Sequence, residues 1–144
     1  MTGGRIFLDT NVLVYLYDTD APEKQAKATA ILEWGFEDVD FAISTQVLQE
    51  FYVTVTRKFS KRLSEAEVIV AMQGLGRFLT VQVDVPMIFE AIELGRECQL
   101  SFWDALIAQA ALSLGCSRLL TEDLQHGRRI GDLTIENPFR LGEA

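Results

Sequence analysis

Acidic side chains stand beside apolar segments at four places along the chain, and these are the residues whose types could do chemistry. They are Asp9, Glu50, Asp104 and the consecutive pair Glu122 and Asp123. Carboxylates brought together repel one another unless a divalent cation lies between them, and hard oxygen ligands select Mg²⁺ or Mn²⁺ over zinc or copper. Two such ions held ~3.5–4 Å apart could activate water and stabilise the leaving oxygen of a phosphodiester.

Each acid also has a simpler structural interpretation. Asp9 follows an apolar run and could serve as a helix N-cap. Glu50 lies about 60° outside the apolar stripe of its predicted helix, which from position alone favours a solvated surface residue. Asp104 completes a capping-box spacing with Ser101, but the helix that follows is apolar in nearly every direction and should be largely buried. A carboxylate in its first turn must therefore be paired or bind a cation, and capping and metal binding both stay open.

The elements that must position these acids alternate between strands and helices. Strands are predicted at 5–8, 41–43, 80–85, 117–121 and 133–135. Helices are predicted over about 10–17, 22–35, 45–59, 64–79, 86–98 and 101–114. This order favours an α/β fold with a mostly parallel central sheet, in which sites form at the carboxyl ends of strands. Asp9 and the Glu122–Asp123 pair each follow a predicted strand, and the spacing could turn Thr121 and Asp123 to the same side.

Length and composition limit the class of protein. The 144 residues suffice for one domain, with 49% hydrophobic and 24% charged residues. No apolar stretch reaches the ~18–20 residues of a membrane span, and no signal peptide precedes Arg5. The two cysteines form no Cys-x-x-Cys motif, so neither a disulfide framework nor a zinc site is indicated. We therefore expect a cytoplasmic protein that does not contact membranes.

The net charge of −8 argues, taken alone, against binding to nucleic acid. The basic residues are unevenly spread, however, and local basic patches exist. One cluster lies within six residues and comprises Arg57, Lys58, Lys61 and Arg62. It is a candidate for contact with a phosphate backbone, although a solvated helix end explains it as well, and Arg96, Arg128 and Arg129 are alternatives.

The chain resembles the PIN-domain ribonucleases, and among them the VapC-type toxins of bacterial toxin–antitoxin pairs. The matching stretches are LDTNVLVY around Asp9, ISTQVLQEFY around Glu50, SFWDALIAQAA around Asp104, LLTEDL around Asp123 and the closing IENPF. The first stretch alone is moderately specific, but their order along nearly the whole chain is strong. The resemblance implies a three-layer α/β/α sandwich over 1–144 as a single domain.

The resemblance also implies a function, namely hydrolysis of RNA phosphodiesters with Mg²⁺ or Mn²⁺. Carried over, Asp9 and Asp104 are the main metal ligands, Glu50 completes the site, and Asp123 is the fourth acid. Supporting roles fall to Thr10, Asn11 and Thr121, with Asn11 expected to brace the loop that holds Asp9.

Two alternatives stay open within the resemblance. Glu122 competes with Asp123 for the fourth acidic position, because the two are consecutive. The chain could also be an inactive PIN-like module that binds RNA or protein. A phosphotransfer enzyme with an acid after its first strand fits less well, because the haloacid-dehalogenase type expects a second Asp where Asn11 stands. The expected partners are a cognate antitoxin protein and a second copy of the chain in a homodimer.

Overall fold

The computed structural model describes residues 4–36 and 39–140. Residues 1–3, 37–38 and 141–144 of the predicted domain lie outside this range. Most of the segment before Arg5, in which no signal peptide is predicted, therefore lies outside it too. Six strands are present within it: β1 Gly4–Leu8, β2 Val39–Ser44, β3 Leu79–Val81, β4 Arg118–Leu120, β5 Arg129–Ile130 and β6 Leu133–Glu136. They form one sheet in the order β3-β2-β1-β4-β6-β5, in which only β5, beside β6, runs antiparallel to its neighbour. The predicted mostly parallel sheet and α/β/α sandwich are thereby confirmed.

Six α-helices connect the strands in the described part of the chain. They are α1 Thr10–Val14, α2 Pro22–Glu33, α3 Thr45–Val53, α4 Glu65–Leu75, α5 Val85–Cys98 and α6 Phe102–Ser113. Short 3₁₀ turns extend α1 over Tyr15–Tyr17 and α2 over Trp34–Phe36, and a π-helical turn extends α3 over Thr54–Lys58. No helix in residues 4–36 and 39–140 combines the length and the apolar character needed to cross a bilayer.

Helix starts follow the capping signals in the sequence. Ser44 caps α3, Ser101 caps α6, and Ser64 and Glu67 form the predicted capping box at the start of α4. The side chain of Asp84 caps α5, so α5 begins at Val85, one residue before the predicted start. These caps fix where the chain leaves each loop for a helix.

The predicted end of α4 and the predicted bounds of β3 were wrong. Helix α4 ends at Leu75 rather than near Leu79, because Gly74 and Gly76 each weaken a helix by ~1 kcal/mol relative to Ala. Strand β3 is correspondingly shifted and shortened to Leu79–Val81, since Asp84 already belongs to the start of α5. Strand β5, with two residues, was missed because so short a run carries no periodicity.

The core lies where the central strands meet the helices. The largest fully buried side chains are Phe7, Phe51, Leu8, Leu13, Ile43, Leu119, Leu120, Leu133, Ile135, Val12, Val47 and Val55. Strand β1 lies between β2 and β4, with Phe7 opposite Ala42 on one side and Leu119 on the other. Such a strand is buried on both faces, which explains its continuous apolar run. The residue after β1 is thereby placed at the centre of the sheet's carboxyl edge.

Candidate active site at the carboxyl edge of the sheet

Asp9 occupies this central position, directly after β1 and beside the end of β4. Its backbone N–H donates to the Leu120 carbonyl at 3.0 Å, which extends the ladder between the two strands. The side chain is only 5% exposed. Oδ1 accepts the Thr10 N–H at 2.7 Å, so Asp9 caps α1, and Oδ2 accepts the Thr121 hydroxyl at 2.7 Å. The carboxylate of Asp9 can therefore cap α1 and at the same time belong to an acidic site.

Glu50 reaches the same region from α3. Its Oε1 accepts the Thr10 hydroxyl at 2.7 Å, and its Oε2 accepts the Gln46 amide N–H at 3.3 Å. The side chain is half-buried, which corrects the expectation of a solvated surface residue. The sequence did not indicate this result, because Thr10, the partner of Glu50, lies 40 residues away at the start of α1.

Asp123 is held to the first turn of α1 by Asn11. The Asn11 amide N–H donates to Asp123 Oδ2 at 3.0 Å, and its carbonyl oxygen accepts the Glu122 backbone N–H at 3.3 Å. The backbone N–H of Asp123 donates to the Thr121 hydroxyl oxygen at 3.1 Å. Asn11 therefore braces the loop after β4, in addition to standing two residues after Asp9.

Glu122 turns to a different set of partners. Its Oε1 accepts the Tyr15 hydroxyl and its Oε2 forms an ion pair with the Lys24 ammonium, both at 2.5 Å. The hydrogen bond to Glu122 also raises the pKa of Lys24, because the carboxylate favours the charged ammonium. Of the two consecutive acids, Asp123 faces the cavity described below and Glu122 is held by Lys24 and Tyr15.

Asp104 lies in the first turn of α6. Its backbone N–H donates to the Ser101 hydroxyl oxygen at 3.2 Å, so the cap of α6 engages the backbone of Asp104. Its carboxylate is half-buried and close enough to Asp123 to raise the pKa of that carboxyl. Most of α6 is buried as predicted, including Ala105, Leu106 and Ile107, whereas Trp103 is 62% exposed.

The pKa values of the acids record this proximity. Burial raises the pKa of Asp9 to about 7, and the charges of Asp123 and Glu50 add to the shift, while the hydrogen bonds from Thr121 and Thr10 oppose it. Burial likewise raises the pKa of Asp123, with a further contribution from Asp104. The acids from β1, α3, α6 and the loop after β4 are thus coupled electrostatically.

A cavity of about 720 Å³ opens over these acids, within the roughly 300–1,000 Å³ typical of ligand clefts. We call it the acidic cavity. Its lining residues are Asp9, Thr10, Asn11, Val14, Tyr15, Asp18, Gln46, Gln49, Glu50, Val53, Thr54, Lys58, Phe59, Trp103 and Asp123. Of the predicted basic cluster, Lys58 belongs to this lining, and Arg57, Lys61 and Arg62 do not. Asp104 is not among the lining residues, but its charge raises the pKa of Asp123, which is one of them.

The comparison with known families agrees with this arrangement. The family model described as "PIN domain" matches residues 6–131, which span β1 through β5 and include every acid of the site. The chain belongs to the PIN domain family. This confirms the family proposed from the five matching sequence stretches.

Solved structures resemble this PIN domain at low sequence identity. A chain of a toxin–antitoxin complex from Klebsiella pneumoniae superposes with a TM-score of 0.70 at 19% identity, covering 94% of this chain and 99% of that one. A chain of VapBC2 from Rickettsia felis, bound to promoter DNA, gives 0.65 at 24% identity, covering 92% and 98%. VapC20 of Mycobacterium tuberculosis, described as a sarcin–ricin loop cleaving toxin, gives 0.61 at 21% identity, covering 79% and 86%. No significant match was found among curated protein sequences.

Nine residues that line this PIN domain's cavity were not anticipated from the sequence, among them Tyr15, Asp18, Gln46 and Trp103. Gln46 stands one helical turn before Glu50, and Trp103 directly precedes Asp104, so their positions relative to the candidate acids were the available signal. Tyr15 begins the 3₁₀ turn after α1, which the sequence does not distinguish from a continued helix, and Asp18 directly follows that turn. The one histidine, His126, is away from the cavity lining, and its Nδ1 accepts the Asn137 N–H at 3.0 Å.

The acidic side chains of this PIN domain offer oxygen atoms that could bind a divalent metal ion. In residues 4–36 and 39–140, no three His, Cys, Asp or Glu side chains are gathered as a ready-made metal site. The available donors are nevertheless hard carboxylate oxygens, and Asp9 and Asp123 both have pKa values raised by burial and, further, by neighbouring negative charge. A dication relieves this repulsion. By their chemistry, these residues fit Mg²⁺ or Mn²⁺.

Proposed function

We propose that this PIN domain, spanning 1–144, is an endoribonuclease that hydrolyses RNA phosphodiester bonds with Mg²⁺ or Mn²⁺. The observation that carries the proposal is the buried carboxylate of Asp9, whose pKa of about 7 reflects burial and the nearby charges of Asp123 and Glu50. Strongly shifted pKa values of this kind are typical of functional sites when the group lines a cleft. A solely capping role explains the bond from Thr10 but not the surrounding acids.

In this proposal Asp9, Glu50, Asp104 and Asp123 hold the metal and form the catalytic site. The metal supplies a polarised water and stabilises negative charge on the phosphate oxygens. The chain's own contribution is positioning: Thr121 orients Asp9, Thr10 orients Glu50, and both hydrogen bonds measure 2.7 Å. Donors that fix the orientation of a carboxylate ligand typically change metal affinity or activity by ~10–100-fold when removed.

Two features support RNA as the substrate and an antitoxin as the partner. Lys58 brings a positive charge into the lining of an otherwise acidic cavity, where a phosphate must approach. Two of the structural neighbours come from toxin–antitoxin complexes, and a third is described as cleaving the sarcin–ricin loop. We propose accordingly that this chain is the toxin of a type II toxin–antitoxin pair, acting in the cytoplasm as a homodimer when free of its antitoxin.

The test is cleavage of RNA by the purified protein in Mg²⁺, in Mn²⁺ and in EDTA. Wild type should cleave in both metals and not in EDTA, and Asp9→Asn should reduce cleavage to background while the far-UV spectrum stays unchanged. Asp132→Asn is the matched control, because Asp132 is an exposed acid outside the cavity lining. Binding of RNA without cleavage in either metal would instead favour the inactive binding module.

A further inference from the structure

Trp103 is the most exposed aromatic ring beside the acidic cavity, and the core of α6 does not account for it. The ring is 62% exposed although it precedes one of the most buried segments of the chain. Tryptophan is normally among the more buried residues, so an exposed ring at the rim of a cleft calls for a ligand that covers it.

Phe102 contacts the Trp103 ring, and Gln46 holds the Trp103 backbone. Phe102 packs against the ring edge-to-face, with ring centroids 5.0 Å apart. The Gln46 amide donates to the Trp103 carbonyl oxygen at 3.4 Å and also to Glu50, so the start of α6 is tied to α3. A flat ring on a fixed backbone, beside carboxylates of the proposed active site, is a suitable surface for stacking of a planar group.

Gln46 gives a second indication that a ligand belongs here. The residue is 4% exposed and lines the acidic cavity, yet its Oε1 accepts no hydrogen bond from the residues that the structure describes. Buried acceptors are nearly always satisfied, and an unsatisfied one beside a cleft is explained by a donor that arrives with a ligand or its water.

Lys58 provides the complementary charge. It ends the π-helical turn after α3 and is the one basic side chain among the described residues that line the acidic cavity. Within residues 4–36 and 39–140 its ammonium group forms no ion pair or hydrogen bond, although acids share the same lining. Turns of this kind occur frequently at functional sites, and here the turn brings an unpaired ammonium group to the cavity.

We propose that Trp103 and Lys58 form a nucleotide-binding subsite next to the acids, in which Trp103 stacks on one unpaired base and Lys58 binds a neighbouring phosphate. The inference rests on the proposed nuclease function and specifies how its substrate is held. A base can lie flat on the ring only when it is free of its complementary strand, so the subsite selects single-stranded or flipped-out nucleotides.

The test uses the two tryptophans, Trp34 and Trp103, as separate reporters in an Asp9→Asn background that leaves RNA intact. The Trp34→Phe variant retains only Trp103, and Trp103→Leu retains only Trp34. Trp34 is the internal control, because Arg118 lies over its ring at 5.2 Å and it lines a different cavity. The probes are a ten-nucleotide single-stranded oligoribonucleotide and the same strand annealed to its complement.

With Trp103 as the reporter, the single strand should quench the emission, and the duplex should bind less tightly. Trp103→Leu should weaken binding of the single strand by about tenfold, or ~1.4 kcal/mol, without a change in Trp34 emission at saturation. Trp103→Phe should keep most of the affinity, since a ring remains for stacking. Lys58→Gln should reduce the salt dependence of binding, with a slope smaller by ~0.7.

Several outcomes would overturn the subsite. They are saturation by RNA without a change in Trp103 emission, equal affinity of Trp103→Leu and its parent, or no binding by the Trp34→Phe variant. The first two would leave the ring as a contact for a protein partner. Cleavage with Asp9 restored is measured separately: RNA cleavage without quenching refutes the subsite alone, whereas wild type that cleaves no RNA refutes the proposed function.

Discussion

The hydroxyl of Thr10 donates to Glu50 Oε1 at 2.7 Å and thereby connects the start of α1 to α3, 40 residues along the chain. The residues on either side of Thr10 make equivalent connections. Asp9 accepts the Thr121 hydroxyl, and Asn11 donates to Asp123 at 3.0 Å. Three consecutive side chains therefore hold the acidic cavity together.

Thr10→Val should impair the site while preserving the fold, because valine keeps the shape of threonine and removes only the hydroxyl. Without its donor, Glu50 loses its fixed orientation, and we expect ~10–100-fold lower RNA cleavage at limiting Mg²⁺. The measurement is the cleavage rate across a Mg²⁺ titration. Thr29→Val is the control, since the Thr29 hydroxyl donates within α2 to the Gln25 carbonyl. Equal rates for Thr10→Val and wild type would contradict the role of this bond.

Asp9→Asn should stabilise the metal-free protein at high pH. Burial raises the pKa of Asp9 from 3.8 to about 7, so between these pH values the folded chain keeps a proton that the unfolded chain has lost. The free energy of unfolding of wild type therefore falls as pH rises through this window and is level above it. Asp9→Asn does not lose stability in this way, so its free energy of unfolding should exceed that of wild type by about 2–4 kcal/mol at pH 8.

Urea unfolding in EDTA at pH 5 and pH 8 measures this difference. The advantage of Asp9→Asn over wild type should be larger at pH 8, whereas Asp132→Asn should follow wild type at both values. A difference in unfolding free energy that does not change with pH would mean that the pKa of Asp9 is not raised in the folded protein.

The positions of Asp9 and Thr121 could be predicted from the sequence, because each stands at the carboxyl end of an apolar strand and parallel strands end at one edge of a sheet. The orientation of Glu50 could not be predicted. Helical periodicity describes only how a helix faces the core, and the bond from Thr10 comes from outside that helix. Long-range hydrogen bonds between polar side chains leave no periodic signal.

The exposure of Trp103 could not be predicted from the sequence for a different reason. The apolar pattern of α6 predicted burial in nearly every direction, and the pattern is correct from Ala105 onward. Side chains in a first helical turn lean toward the N-terminus, so they project past the packed part of the helix. An apolar residue there can be exposed at the cavity although its neighbours along the helix are buried.

Divalent metal should stabilise the folded protein through the four acids. A cation present at about 100 times its dissociation constant adds ~2.7 kcal/mol to the free energy of unfolding, which corresponds to a rise of several degrees in Tm. We expect this rise for wild type in millimolar Mg²⁺ or Mn²⁺, and EDTA should reverse it. Asp104→Asn should reduce the increase, and Asp132→Asn should retain it. A full increase in Asp104→Asn would exclude Asp104 as a ligand.

Neutralising Glu122 and neutralising Asp123 should have different effects on RNA cleavage and on stability. Asp123→Asn should lose RNA cleavage, and at pH 7 its Tm should not fall, because burial and the charge of Asp104 already raise the pKa of this carboxyl. Glu122→Gln removes the ion pair with Lys24, which is partly exposed, so we expect a loss of at most about 1 kcal/mol in stability and cleavage within a few-fold of wild type. The measurements are cleavage rate and thermal unfolding of both variants. The opposite pattern, with cleavage lost in Glu122→Gln and kept in Asp123→Asn, would assign the fourth acidic position to Glu122.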